Sequence, residues 1–175
     1  MNSYRADLHI HTTLSPCGDL FMSPANIIAE ALHKGLDIIG ITDHNSTRQA
    51  KLIKESGEKK GLFVLCGAEV SSKEEVHCLT FFPDFDTLDI FQNYLDEHLP
   101  NIKNNTDVFG YQVCVDENED IVFEEERLLI SGLDQTIEQI EQKVHSMGGL
   151  FIPAHINRPS YSIISQLGFI DTQLK

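Results

Sequence analysis

The sequence predicts an α/β fold with a largely parallel sheet. Two observations carry this. Short apolar runs bounded by turn residues, the mark of buried strands, alternate with longer stretches of helical apolar spacing. The helical stretches also carry start and stop residues at their ends. Strands alternating with helices in this way build a sheet whose strands mostly run in one direction.

The elements follow in order. A short first strand leads into Asp7-Leu8-His9-Ile10-His11. Ser23 is placed to cap a helix, Pro24 suits its first position and Gly35 its stop, with Ile27, Ile28, Ala31 and Leu32 on one face. His33, late in this helix, sits where a histidine complements the dipole. Residues 37–41 form a buried strand ending in Thr42-Asp43-His44. Ser46-Thr47-Arg48-Gln49 has a capping-box pattern and predicts a helix to about Lys60. A strand at 62–65 leads to Gly67-Ala68-Glu69, and a further strand at 76–82 carries His77 near its start. A helix is expected over 88–98. Residues 101–130 read as an inserted region, with a hairpin of 108–115 and 121–123 around the acidic run 116–120. Ile137, Ile140, Val144 and Met147 have helical spacing, with Gly148 as the stop. A strand at 150–152 then ends in Pro153-Ala154-His155. The whole is read as one domain over 1–175.

Bulk properties narrow the function. The chain has 175 residues, 41% of them hydrophobic, which allows an ordinary buried core. Thirteen basic residues against 27 acidic ones give a formal charge of −14. That argues against long nucleic acids and anionic membranes as partners, since both attract a basic face. It leaves room for a phosphorylated substrate, because bound cations invert the local field. With no signal-peptide pattern, and with Cys17, Cys66, Cys78 and Cys114 lacking any CxxC spacing, the sequence reads as a cytoplasmic protein with reduced thiols.

The chemistry collects at strand ends. His9 and His11 follow the first strand, Asp43 and His44 the second, Glu69 the third and His155 the last, while His77 begins its own strand. The carboxyl ends of parallel strands share one edge of the sheet, where sites are built. In His-x-His on a strand, the two-residue period sends both rings to one face. Histidines with carboxylates suit zinc, manganese or iron. Any one histidine is more often an ordinary hydrogen-bonded residue; His9, His11, His44, Glu69 and His155 as a set point to metal. Asp116, Asn118 and Asp120 imitate a calcium loop, but Ile121 stands where glycine is needed and Arg127 where glutamate is, so a solvated hairpin tip is expected.

These residues resemble the PHP family, named for polymerase and histidinol phosphatase. Asp7-Leu8-His9-Ile10-His11-Thr12 is similar to its first motif, Ile41-Thr42-Asp43-His44 to its second and Pro153-Ala154-His155 to its third. Gly67-Ala68-Glu69 resembles the bridging-glutamate segment, and His77 falls where another ligand is expected. The resemblance implies a distorted (β/α)7 TIM-like barrel holding two to three divalent ions (Zn, Mn, Fe or Mg). His9 and His11 would bind one ion, which Glu69 bridges to a second held by His77 and His155. His44 would belong to a third, with Asp19 favoured as its partner and Cys17 as the rival. Asp43 is expected to support the ligands from behind, and Arg158 to clamp phosphate. The family's C-terminal Asp-x-His motif is absent as far as Lys175, and 170–175 offers no substitute, so a barrel incomplete at its C-terminal end is expected. The implied activity is hydrolysis of a small phosphate monoester or a nucleotide-type phosphodiester by a metal-activated hydroxide, with mononucleotides or short oligonucleotides as possible substrates. The alternatives are an amidohydrolase, which also places His-x-His after a first strand, and a non-catalytic metal-binding or regulatory module.

Overall fold

The computed structural model describes residues 3–170 and 174. In chain order the elements are β1 (Ala6–Ile10), α1 (Pro24–His33), β2 (Ile38–Ile41), α2 (Ala50–Glu58), β3 (Phe63–Ser71), β4 (His77–Phe82) and α3 (Phe85–His98). There follow α4 (Thr106–Phe109), β5 (Val113–Val115), β6 (Ile121–Glu124), α5 (Ile137–Ser146), β7 (Leu150–Pro153) and α6 (Ile163–Leu167). Apart from Leu174, the stretch after Ile170, read as offering no metal ligand, lies outside the described residues.

Five strands form one sheet in the order β1-β2-β3-β4-β7. β1, β2 and β3 run parallel, β4 runs against β3, and β7 runs against β4. β7 therefore points the same way as the first three strands, and β4 alone is reversed. The reversal is what brings His77 to the site, because β4 begins at the edge where the others end. The sheet curls into half a barrel with β1 and β7 as its edges. A closed seven-stranded barrel is not formed by the described residues, since β5 and β6 pair only with each other.

Helix punctuation explains most boundaries. Ser23 caps α1 by accepting from the Asn26 N–H, Pro24 opens it, and Gly35 leaves it with φ +65°. Ile27, Ile28 and Ala31 are buried against the sheet, whereas Leu32 faces solvent. The Ser46–Gln49 capping box does not form. The Gln49 side chain is taken by Val115 instead, its Nε2 donating to the Val115 carbonyl (3.0 Å) and its Oε1 accepting from the Val115 N–H (2.8 Å), while Gln92 Oε1 on α3 accepts from the Thr47 N–H (2.6 Å). The helix begins one turn later, at Ala50. Asp84 caps α3 through the Thr87 N–H (2.8 Å), so that helix starts three residues before the expected Leu88.

β3 outruns its apolar core because β4 pairs alongside it from Cys66 to Ser71. Gly67 permits that pairing, since a Cβ there would collide with the Thr80 carbonyl. The expected strand over 108–115 shrinks to β5, with Val108 and Phe109 in the short α4. Ile39, Ile41, Ile53, Val64 and Leu88 are fully buried between sheet and helices, each contributing roughly 1.5–3 kcal/mol through apolar burial. Among the described residues no helix is long and apolar enough to cross a membrane. All four cysteines are free thiols.

Candidate metal centre

Five imidazoles converge on one carboxylate. Glu69 lies inside β3 and is 1% exposed. Its Oε1 lies 3.0 Å from His9 Nε2, 3.1 Å from His77 Nδ1 and 3.1 Å from His155 Nε2. Its Oε2 lies 3.2 Å from His11 Nε2 and 3.4 Å from His44 Nδ1. The strands impose this. β1 delivers His9 and His11 to one face, as their period requires, with their Nε2 atoms 3.2 Å apart. His44 follows β2 and bridges to Glu69 through the backbone. His77 opens the reversed β4, and its N–H donates to the Tyr161 carbonyl while its ring stacks on Tyr161 at 4.7 Å. His155 follows β7 with φ +30°, a left-handed backbone that few non-glycine residues adopt.

Burial alone would raise the Glu69 pKa. Hydrogen bonds with His11, His77 and His9 overcome it and drive the carboxyl well below its usual range. Burial pushes His44 down to about 3 against the attraction of Glu69, and also lowers His155. His11 goes the other way. Burial opposes its charge, yet hydrogen bonds to Cys17 and Glu69 push it up to about 10.

Asp43 stands behind these ligands, 1% exposed. It accepts from Thr12 N–H (2.7 Å), Thr12 Oγ1 (2.8 Å) and Ser15 Oγ (2.7 Å). Burial raises its pKa, and the Thr12 and Ser15 donors oppose that. Ser15 has a single proton, which it gives to Asp43. Its oxygen then accepts from His11 Nδ1 (2.9 Å) and from the His44 N–H (3.0 Å). His11 must therefore carry a proton on Nδ1; in the metal-free protein Nε2 holds a second proton toward Glu69, which a bound cation would displace to use that lone pair. Sequence reasoning missed Thr12 and Ser15. Their signal was a run of small hydroxyl residues directly after His-x-His, all buried here.

The remaining candidates separate. Cys17 and Asp19 share a turn in which the Gly18 N–H donates to the Ser15 carbonyl (2.8 Å), and a Cβ at Gly18 would strike the Thr12 carbonyl. The turn carries the Cys17 sulfur to His11 and His44, where one ligand atom from each lies within 4.8 Å of the others. Asp19 stays exposed, and its carboxylate accepts from the Phe21 N–H (2.9 Å). Arg158 is exposed and has no side-chain partner among the described residues; its charge bears on His155. Residues 101–130 pack against the centre from behind. Thr13, two residues after His11, donates to the Val113 carbonyl (2.9 Å), and Gln49 bonds both backbone groups of Val115.

The donors fit a divalent cation. Among the described residues, three groups of ligand atoms lie close enough to share an ion: His9-His11-Glu69, His44-Glu69-His77 and His11-Cys17-His44. His44 Nδ1 is buried and makes no hydrogen bond. Cations at these positions would satisfy that nitrogen and the ring nitrogens that His9 and His11 turn toward Glu69.

The model of the PHP domain matches residues 7–152. The chain belongs to the PHP domain family. Among curated proteins, the chain is similar to YqxK, an uncharacterized protein of Bacillus subtilis, 28% identical over 190 aligned residues, 93% of this chain and 43% of YqxK. A phosphoribosyl 1,2-cyclic phosphate 1,2-diphosphodiesterase of Eggerthella lenta is 33% identical over 66 residues, 38% of this chain and 24% of that enzyme. Among solved structures, the lesion-specific endonuclease PfuEndoQ of Pyrococcus furiosus matches with a TM-score of 0.61 at 23% identity, over 93% of this chain and 37% of the endonuclease, which establishes a shared fold. The chain spans less than half the length of the curated relatives it matches.

Proposed function

We propose that this PHP chain carries the metal centre of a phosphoesterase that hydrolyses a small phosphate monoester or a nucleotide-type phosphodiester. The observation that carries the reading is the convergence of five imidazoles on both oxygens of buried Glu69. His9, His11 and Glu69 would hold one divalent ion, Glu69, His77 and His155 a second, and His44 faces a third position. Bound there, such ions lower the pKa of water and neutralise phosphate oxygens.

The chain's own residues do the rest. Ser15, fixed by Asp43, holds the His11 ring in one tautomer and one orientation. The Tyr161 stack and the reversed strand fix His77. Arg158, three residues beyond His155 and without a salt bridge among the described residues, is the candidate to grip a phosphate in two hydrogen bonds. Cytoplasmic location and a single domain over 1–175 belong to the same reading.

The substrate class stays open toward nucleic acid. A formal charge of −14 counted against long polymers. Yet an endonuclease Q holding a 27-mer duplex with an abasic lesion shares this fold, so net charge does not exclude a duplex substrate. The cyclic phosphodiesterase relative supports the phosphodiester side of the reading over an amide.

The test is a panel of phosphate monoesters, cyclic and linear phosphodiesters, lesion-bearing duplexes and matched amides, assayed with and without chelator. Hydrolysis of a phosphate ester that stops on chelation is expected. Turnover of amides alone, or phosphatase activity indifferent to chelation, would sink the reading. Bound metal with no turnover of any ester favours a non-catalytic module. Arg158→Ala should raise KM about tenfold with kcat little changed, the loss of a charge-assisted contact of about 1.5 kcal/mol.

A further inference from the structure

We infer that the third metal position is built by Cys17 with His44, alongside His11, so that a thiolate, and not the Asp19 carboxylate, sets which ion this centre prefers. The inference rests on the metal-centre reading above and refines it at one position.

The geometry separates the two rivals. One ligand atom each from His11, Cys17 and His44 lies within 4.8 Å of the others, while Asp19 belongs to no such group among the described residues. The Asp19 carboxylate is engaged two residues along, where it accepts from the Phe21 N–H. His44 supplies a second and independent indication. It is 3% exposed, it adjoins Cys17 and His11, and its Nδ1 has no hydrogen-bond partner although it is sealed from water. A buried imidazole nitrogen left without a partner is costly unless something fills the space before it. Cys66, Cys78 and Cys114 are buried and join no ligand group among the described residues, so Cys17 alone brings sulfur to the centre.

Sulfur decides the chemistry. Thiolate with imidazole is a donor set for zinc and discriminates against magnesium and manganese, which carboxylate would favour. Binding deprotonates the thiol and releases its proton to solvent. Cys17 is exposed, so the ion has a path in from the surface.

Cobalt makes this visible. The purified full-length protein is stripped, reloaded with Co(II) without oxygen, and followed by absorption and metal counting. The wild type should show a near-ultraviolet thiolate-to-cobalt band. Cys17→Ser should abolish the band and lose one equivalent, or bind it at least about tenfold more weakly, while the visible bands of the remaining cobalt persist. Asp19→Asn should keep both band and count. Cys17→Asp should regain the equivalent and shift its preference from zinc toward manganese. A fully loaded wild type without the band overturns the inference, as does a band that survives in Cys17→Ser. Loss of the equivalent in Asp19→Asn with retention in Cys17→Ser also overturns it. Each of those outcomes leaves the other two positions standing. A wild type that binds no metal at all removes the metal-centre reading and this inference with it.

Discussion

Two regions of this molecule are dense in groups that ligate metals, and they use them in opposite ways. The sheet edge gathers His9, His11, His44, His77 and His155 around a single buried carboxylate. The β5–β6 tip carries Asp116, Glu117, Glu119 and Asp120 with no histidine. At the tip two of the carboxylates, Asp116 and Glu119, are already engaged. Asp116 Oδ1 accepts from the N–H groups of Asn118 (2.8 Å) and Asp120 (3.0 Å), closing the turn, and Glu119 accepts from Ser23 Oγ (2.6 Å). At the sheet edge the ligand nitrogens face each other and Glu69, away from backbone donors. Density of acid does not make a site. Convergence of lone pairs that the protein itself leaves unsatisfied does, and rigid strand ends provide it.

The largest effect comes from removing the point of convergence. Glu69→Ala should cost at least about two equivalents of metal and about 100-fold or more in kcat, read by metal counting and by turnover of the best ester in the panel. A variant that keeps full metal content would show that the imidazoles bind ions without their shared carboxylate. Ser15→Ala comes next. It touches no ion, but it frees the His11 ring and leaves Asp43 short of one donor. Affinity for metal or activity should drop about 10–100-fold, and Ser15→Thr should recover part of it. An unchanged affinity would mean that the tautomer of His11 is fixed by the ion alone.

Much of this contrast was legible before any coordinates. His9, His11, His44, Glu69, His77 and His155 were placed at strand ends by the period of the sheet and by motif order. Their mutual distances show how closely that edge gathers them. The calcium-like spacing at Asp116 was rejected on Ile121 and Arg127, and its carboxylate indeed serves the turn. What the sequence did not show depended on partners distant along the chain. The Ser46–Gln49 box read as a helix start, but the Gln49 side chain bonds the backbone of Val115, 66 residues away, instead. β3 read as four residues and runs to nine, because pairing with β4 extends it past its apolar stretch. Asp19 was favoured over Cys17 as the partner of His44. Only the backbone of the Gly18 turn decides which side chain meets His44.

The two regions should also differ in how stability follows pH. In the metal-free protein His44 has a folded pKa lowered from 6.5 to about 3. Between those values the unfolded chain binds the extra proton, so stability falls as pH drops from 6.5 toward 3. His11 is raised from 6.5 to about 10, so the folded state holds the extra proton and stability is lost as pH rises from 6.5 toward 10. Thermal melts of the stripped protein should therefore peak near pH 6.5 and decline on both sides by about 3 °C or more. His44→Asn should make the acid limb shallower, since His155 and Glu69 also contribute to it, and leave the alkaline limb in place. A flat profile in the stripped wild type would show that the cluster does not hold its protons as the geometry requires.

The smallest effect is expected at the tip. Asp116→Ala removes two acceptor contacts in an exposed turn, where water replaces them at little cost. Stability should fall by about 1 kcal/mol or less, a shift in Tm of roughly 2–4 °C at most for a chain of this size. Metal count and kcat should stay at wild-type values. The tip is not remote from the centre, because β5 is tied to Thr13, two residues after His11, and to Gln49. If Asp116→Ala lowers metal affinity while Tm barely moves, the hairpin does more than brace the sheet edge, and the division between a satisfied acidic tip and an unsatisfied histidine cluster would have to give way to a single coupled unit.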